Sequence, residues 1–135
     1  MKSGREPVAQ NDGAAVVEEA ERLLALVAEL NVHDRVTRGH SERVRAYAQL
    51  IGKELHLTPN ELDALNWAAL LHDVGKLKVP AEILNKPGRL TQEEFAIMKS
   101  HAALSRELLQ GTPGISETVI RIASEHHEKM GGCGY

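Results

Sequence analysis

The sequence predicts an all-α fold, a bundle of about six helices. Only 3% of the residues are aromatic, so the core must consist of leucine, isoleucine, valine and alanine, which suits packed helices better than a β-sandwich. Apolar residues recur at helical spacing along most of the chain, whereas no strand pattern and no internal repeat is present. The length of 135 residues corresponds to one domain.

Residues 1–13 are predicted to form a flexible segment, because they are polar and contain Gly4 and Pro7. The remaining residues, 14–135, are predicted to form the domain. The first helix of this domain runs to about Val32, since its apolar residues are three or four positions apart.

Two further helices follow in the first half of the domain. One spans about residues 40–56, and the next begins after Thr58 and ends near Asp73. Pro59 suits the first position of that helix, and Glu61 completes a capping box with Thr58. The helix over 40–56 has one apolar stripe, formed by Val44, Tyr47, Ala48, Ile51 and Leu55.

The second half of the domain begins with a predicted loop over about residues 75–90, which contains two glycines and two prolines. A short helical turn is expected near residues 81–84 of this loop. Three helices are predicted beyond it, over about residues 92–100, 102–110 and 115–128, and the first of them begins with a second capping box. A glycine-rich loop completes the sequence.

Composition restricts the class of protein. The net charge of −3 provides no broad basic surface for a nucleic-acid polymer, although a few local lysines and arginines suffice for a phosphate ligand. The sequence contains no signal peptide and no apolar run that approaches a membrane span. The single cysteine, Cys133, fits a reducing compartment. We therefore expect a cytoplasmic protein.

Seven histidines are present, and four of them share the apolar face of their helix close to a helix end. One buried imidazole is usually a hydrogen-bonded core residue, but four on different helices are hard to satisfy in that way. These four, together with His127 and the adjacent carboxylate Asp73, predict a site for iron, manganese or zinc. His33 and His56 are expected to be structural or solvent-facing. The four inward histidines are His40, His72, His101 and His126.

Residues 69–76 resemble the signature of the HD superfamily of metal-dependent phosphohydrolases, and further stretches resemble its HD-GYP subgroup. The similarity begins near residue 28 and continues to the end of the sequence. Ordered blocks at plausible spacing are far more specific than one His-Asp pair. The blocks are residues 39–44, 69–76, 83–91, 98–101 and 126–128 with 132–135.

The resemblance implies an HD-domain helical bundle that hydrolyses cyclic di-GMP in signal transduction and binds two or three metal ions, often iron or manganese. Asp73 and Lys76 are the implied catalytic residues, with Lys76 at the scissile phosphate. Gly134 and Tyr135 match the motif near the bound nucleotide. Arg43, one turn from His40, is a further candidate for a phosphate contact, with pairing to an exposed acid left open. The implied metal ligands are His40, His72, Asp73, His101, His126 and His127.

Elementary chemistry supports this set of residues. Two cations about 3.5–4 Å apart can form a bridging hydroxide at neutral pH and hold the oxygens of an anionic phosphodiester. A carboxylate that spans both cations, here Asp73, would set their separation. Lys76 would add a positive donor where negative charge develops.

The sequence departs from the family pattern in ways that limit the prediction. The family has a late aspartate ligand and a proline after the Gly-Tyr pair, and the sequence ends at Tyr135. Val36 replaces a glutamate found in three-metal members, so we expect two metals at most. The expectation is a partial HD-GYP-type domain, incomplete at its C-terminus, with some apolar helix surface exposed. Activity of this chain stays open, as does a role as a sensor or interaction module. A homodimer and a regulatory domain or partner protein also stay open.

Overall fold

The structure, a computed structural model, describes residues 12–135, and residues 1–11 of the predicted flexible segment lie outside this range. These 124 described residues contain helices and no β-strand, so the predicted all-α fold is confirmed. The helices are α1 (Asp12–His33), α2 (His40–Glu54), α3 (Pro59–Leu71), a 3-10 helix (Val74–Lys78), α4 (Ala81–Leu84), α5 (Gln92–Lys99), α6 (His101–Gln110) and α7 (Glu117–Glu125). Within the described range, no helix has the length and hydropathy needed to cross a membrane.

Side-chain caps explain where several helices begin. The Thr58 hydroxyl accepts a hydrogen bond from the Glu61 backbone N–H, and the Glu61 carboxylate accepts one from the Thr58 backbone N–H, as the predicted capping box requires. Thr91 and Glu94 form the same reciprocal pair at the start of α5. These pairs satisfy backbone donors that have no partner within the helix.

The core lies between α1, α3, α6, α7 and the 3-10 helix, and α2 packs on the outer side of α3. Its side chains are almost entirely small or aliphatic, as the low aromatic content predicts. The buried members of the core are Leu23, Val27, Ala68, Leu70, Leu71, Val74, Leu109, Val119, Ile120 and Ala123.

The packing of α2 differs from the prediction. Tyr47, Ile51 and Leu55 belong to its predicted core-facing stripe but are at least 60% exposed. The helix instead buries the small residues Ser41 and Gly52. A Cβ atom on Gly52 would lie 2.8 Å from the Leu62 side chain, so glycine permits the close approach of α2 to α3. Exposed apolar helix surface was expected, and α2 carries much of it.

The 3-10 helix occupies the start of the predicted loop and packs against α6. The Gly75 backbone N–H donates to the Ser105 hydroxyl (2.8 Å), which donates to the His72 carbonyl (3.1 Å). A Cβ atom on Gly75 would lie 2.0 Å from the His101 carbonyl oxygen, so this approach requires glycine. The contact places the residues at the end of α3 beside the start of α6.

Leu109 is fully buried in the core, and its replacement should reduce stability far more than replacement of an exposed leucine. We expect Leu109→Ala to lower the free energy of unfolding by about 2–5 kcal/mol, because it removes apolar contacts and leaves a cavity. The matched control, Leu50→Ala on the exposed face of α2, should change it by no more than about 0.5 kcal/mol. Urea denaturation measures both values, and equal effects would contradict the described core.

Candidate metal centre

Three histidines lie at or just beyond the C-terminal end of a helix, and each contacts the backbone carbonyl three residues before it. The Nδ1 atom of His72 is 2.7 Å from the Ala69 carbonyl oxygen. The same distance is 2.7 Å for His101 and Met98, and 2.6 Å for His126 and Ala123. Carbonyls in the last turn of a helix have no backbone partner within it, so these rings satisfy groups that the helix leaves free.

These hydrogen bonds fix the orientation and the tautomer of each ring. A carbonyl oxygen only accepts, so the Nδ1 atom of each ring must carry the proton and donate. In the neutral ring, the Nε2 atom then has a free lone pair. Hydrogen bonding by the second nitrogen is the usual way in which proteins orient a histidine that ligates a metal.

The Nε2 atoms converge on Asp73, whose two carboxylate oxygens face different histidines. Asp73 Oδ1 is 3.2 Å from His101 Nε2 and 3.3 Å from His126 Nε2. Asp73 Oδ2 is 3.2 Å from His72 Nε2 and 3.8 Å from His40 Nε2. Asp73 is 5% exposed, so its carboxylate depends on these neighbours for compensation of its charge.

The donor set fits divalent cations. His101 Nε2 and His126 Nε2 are 3.2 Å apart, and both face an acceptor oxygen of Asp73. Acceptor atoms at such distances require protons or cations between them, and imidazole with carboxylate is a set that binds divalent metals. The negative ends of α3, α5 and α7 point at the same region, which further favours positive charge.

The potential ligand atoms form two groups that share one residue. Asp73 joins His101, His126 and His127 in one group, and it joins His40 and His72 in the other. In each group the atoms lie within 4.8 Å of one another. Among the described residues, these groups are two candidate cation sites that share Asp73.

The pKa values of Asp73 and His127 reflect the close packing of ionisable side chains in the cluster. Burial would raise the pKa of Asp73, but in the metal-free chain protons on the Nε2 atoms of His101, His126 and His72 donate hydrogen bonds that outweigh burial and hold this pKa well below its usual range. A bound metal ion would take the place of these protons. Burial, together with the charges of the neighbouring His126 and His101, lowers the pKa of His127 to about 4. A histidine that is neutral at physiological pH is ready to bind a cation.

Lys76 reaches the cluster, and its partner Asp34 was not predicted. The Lys76 Nζ atom is 3.3 Å from Asp73 Oδ2 and 3.3 Å from Asp34 Oδ2. Asp34 is only 2% exposed, and it also accepts hydrogen bonds from the backbone N–H and hydroxyl of Thr37. Helical periodicity could not identify Asp34, because it follows the last residue of α1 in a polar link.

The C-terminal loop folds back on the cluster. The Glu128 carboxylate accepts hydrogen bonds from the backbone N–H groups of Lys129 (2.9 Å) and Gly134 (2.7 Å). A Cβ atom on Gly134 would lie 2.2 Å from the His127 carbonyl oxygen, so this turn requires glycine. The next ring, that of Tyr135, stacks on His127 with their centroids 4.6 Å apart.

The structure also gives the end of α7 and the positions of Arg43 and His33. α7 ends at Glu125 rather than near residue 128, so His126 caps the helix instead of lying within it. Arg43 is exposed, and its guanidinium donates to the Arg38 carbonyl oxygen at 3.5 Å. His33 Nε2 contacts the Val79 carbonyl oxygen at 2.7 Å, as expected of a structural histidine.

A helical bundle with a His-Asp cluster where several helices end belongs to the class of candidate metal-binding helical domains. Comparison with known proteins identifies its family. The model of the HD domain family matches residues 19–135. The chain therefore belongs to the HD domain family, and the HD-GYP resemblance predicted from its sequence is confirmed.

Several curated relatives have related descriptions. The chain is 43% identical over 99 residues to the 3'3'-cGAMP-specific phosphodiesterase 3 of Vibrio cholerae, covering 73% of this chain and 21% of the relative. It is 38% identical over 122 residues to the cyclic di-GMP phosphodiesterase response regulator RpfG of Xanthomonas campestris (88% and 32%). It is 40% identical over 103 residues to the cyclic di-GMP phosphodiesterase of Thermotoga maritima (76% and 28%). The chain thus spans at most about a third of the length of these relatives.

The low pKa of His127 predicts how the stability of the metal-free chain depends on pH. The pKa is about 4 in the folded chain and 6.5 ordinarily, so the unfolded chain binds more protons between these values. The contribution of His127 to the free energy of unfolding is complete above pH 6.5 and is lost as the pH falls towards 4. The His127→Gln variant should therefore lose less unfolding free energy than the wild type as the pH falls from 6.5 to 4. Urea denaturation at several pH values measures this difference. His56→Gln, at an exposed position, is the control. Parallel pH curves for wild type and His127→Gln would contradict the assignment.

Proposed function

We propose that this chain is the catalytic portion of a metal-dependent phosphodiesterase that hydrolyses cyclic dinucleotides in the cytoplasm. The observation that carries the proposal is one buried carboxylate, Asp73, shared by two groups of imidazoles whose Nε2 atoms point at it. The imidazole and carboxylate ligands suit two iron or manganese ions. Divalent cations held there would activate water and neutralise charge on a phosphodiester.

The protein residues have separate roles in this proposal. His101, His126 and His127 would bind one ion, and His40 and His72 the other. Asp73 would bind both, because each of its oxygens already faces one group. The helix-end carbonyls would keep the imidazoles in place, so that little reorganisation is needed when the ions bind.

Lys76 would act on the substrate. Its ammonium lies beside Asp73, in a position to donate to a phosphoryl oxygen as negative charge develops. A cation bound to Asp73 would repel this ammonium, and the buried Asp34 would retain it at the cluster. Asp34 is therefore a positioning residue in the proposal, whereas Lys76 is a catalytic one. Tyr135, Gly134 and Arg43 are the further proposed contacts for the nucleotide.

The proposed substrate is cyclic di-GMP. Relatives that are 38% and 40% identical to this chain are described as cyclic di-GMP phosphodiesterases. A second candidate is 3'3'-cGAMP, which is favoured by the 43% identity to a phosphodiesterase described as specific for it. Both are cyclic dinucleotides and present the same type of bond to the cluster.

The direct test incubates the manganese- or iron-loaded chain with each cyclic dinucleotide and follows the linear products by chromatography. We expect hydrolysis, and we expect Lys76→Gln to lower kcat about 10²–10³-fold with metal content retained, because it removes a donor to the developing charge. The matched control is Lys78→Gln, an exposed lysine of the same 3-10 helix, which should keep wild-type kcat. Binding of a cyclic dinucleotide without turnover would instead favour a sensor, and absence of binding would overturn the substrate class.

A further inference from the structure

A cationic and aromatic surface adjoins the candidate metal centre, and we define it by Phe95, Lys99 and Tyr135 and call it the Lys99 rim. The Lys99 Nζ atom lies 5.1 Å from the Phe95 ring centroid and 5.8 Å from the Tyr135 ring centroid. Tyr135 in turn stacks on His127, and its centroid is 6.3 Å from that of His101. The rim is therefore in contact with one of the two ligand groups around Asp73.

The charge of Lys99 has no acidic partner in the described part of the chain. Lys86 pairs with Glu94 at 2.6 Å and Lys76 pairs with two aspartates, whereas no carboxylate of residues 12–135 forms an ion pair with Lys99. Aromatic faces hold this ammonium instead, through cation–π contacts. The ammonium therefore remains available to an anion.

The two aromatic rings of the rim are also available. Phe95 is 47% exposed and Tyr135 is 41% exposed, although the whole sequence has only four aromatic residues. Half of the aromatic residues thus lie beside the metal centre instead of in the core. Exposed aromatic side chains next to a cation are the elements that bind the base and the phosphate of a nucleotide.

The proposed substrate has more phosphate and base groups than the metal centre alone can contact. A cyclic dinucleotide contains two phosphodiester groups and two bases, and only one phosphodiester reacts at a time. The other phosphodiester stays anionic and needs a positive partner outside the cluster. We propose that the Lys99 rim is the subsite for this second nucleotide, with Lys99 on the non-reacting phosphate and the Phe95 and Tyr135 rings against a base. This inference rests on the proposed function and deepens it.

Lys99 also lies in the last turn of α5, where a lysine can merely stabilise the helix dipole. The two roles are distinguished by the quantity that a substitution of Lys99 would change. A lysine that acts only on the helix affects stability, whereas a subsite lysine affects the affinity for a ligand with a second phosphate. Lys53 is the matched control, because it occupies the last turn of α2 and is exposed.

The test measures by calorimetry the Kd of the manganese-loaded full chain for cyclic di-GMP in the form of its hydrolysis-resistant phosphorothioate analogue. Lys99→Gln should raise this Kd about tenfold, the usual effect of losing one hydrogen bond to a charged group. Phe95→Leu, which keeps an apolar side chain but removes the ring, should raise it about fivefold or more. Lys53→Gln should bind like the wild type. Metal content is measured for every variant, so that loss of the cluster is detected separately.

A substrate with a single phosphodiester makes the test selective. Bis(4-nitrophenyl) phosphate can occupy the metal centre but has no second phosphate, so Lys99→Gln should raise its KM by less than about twofold. Wild-type affinity of Lys99→Gln for cyclic di-GMP would overturn the rim and leave the proposed function intact. An equal loss for both substrates would also overturn it, because Lys99 would then act on the cluster as a whole. Failure of the wild type to bind any cyclic dinucleotide would overturn the proposed function and the rim together.

Discussion

The structure depends on the interaction of one desolvated carboxylate with several imidazole nitrogens. Asp73 is almost fully buried, yet its pKa is held well below the usual range because hydrogen bonds from His101, His126 and His72 outweigh burial. Those rings are in turn oriented by backbone carbonyls at helix ends. A buried carboxylate that needs protons or cations between its oxygens and the imidazole nitrogens is a poor arrangement for a stable core and a good one for binding cations. Most features of the fold near this point serve to bring these groups together.

Much of the fold could be predicted from the sequence, because helical periodicity and capping boxes are local signals. Thr58, Thr91 and the ends of α1 and α4 agree with their predicted positions. The face of α2 that is buried could not be predicted. An apolar stripe that includes Tyr47 and Ile51 indicates an amphipathic helix, but it does not indicate which other helix packs against that stripe. The 3-10 helix was predicted as a loop, because its structure depends on the contact of Gly75 with α6.

For the candidate site, most of the residues could be predicted from the sequence, but their convergence could not. The histidines and Asp73 are identifiable because they recur near helix ends and match ordered motif blocks. The reason that the rings converge is tertiary, however, since α3, α5 and α7 must all end at the same region. Asp34 had no sequence signal of its own, because it is a buried acid in a link. Lys99 falls within the motif block 98–101, but the block does not reveal that two aromatic rings lie beside it. Their partners, Lys76 and the aromatic pair, become apparent only in three dimensions.

We propose that Asp73 and the surrounding imidazoles bind two divalent cations that share this carboxylate. The most direct test is a crystal structure of the manganese-loaded chain with anomalous scattering measured at the manganese edge. We predict two anomalous peaks about 3.5–4 Å apart, one on each side of the Asp73 carboxylate, with imidazole Nε2 atoms from both groups as ligands. A single peak, or peaks remote from Asp73, would contradict it.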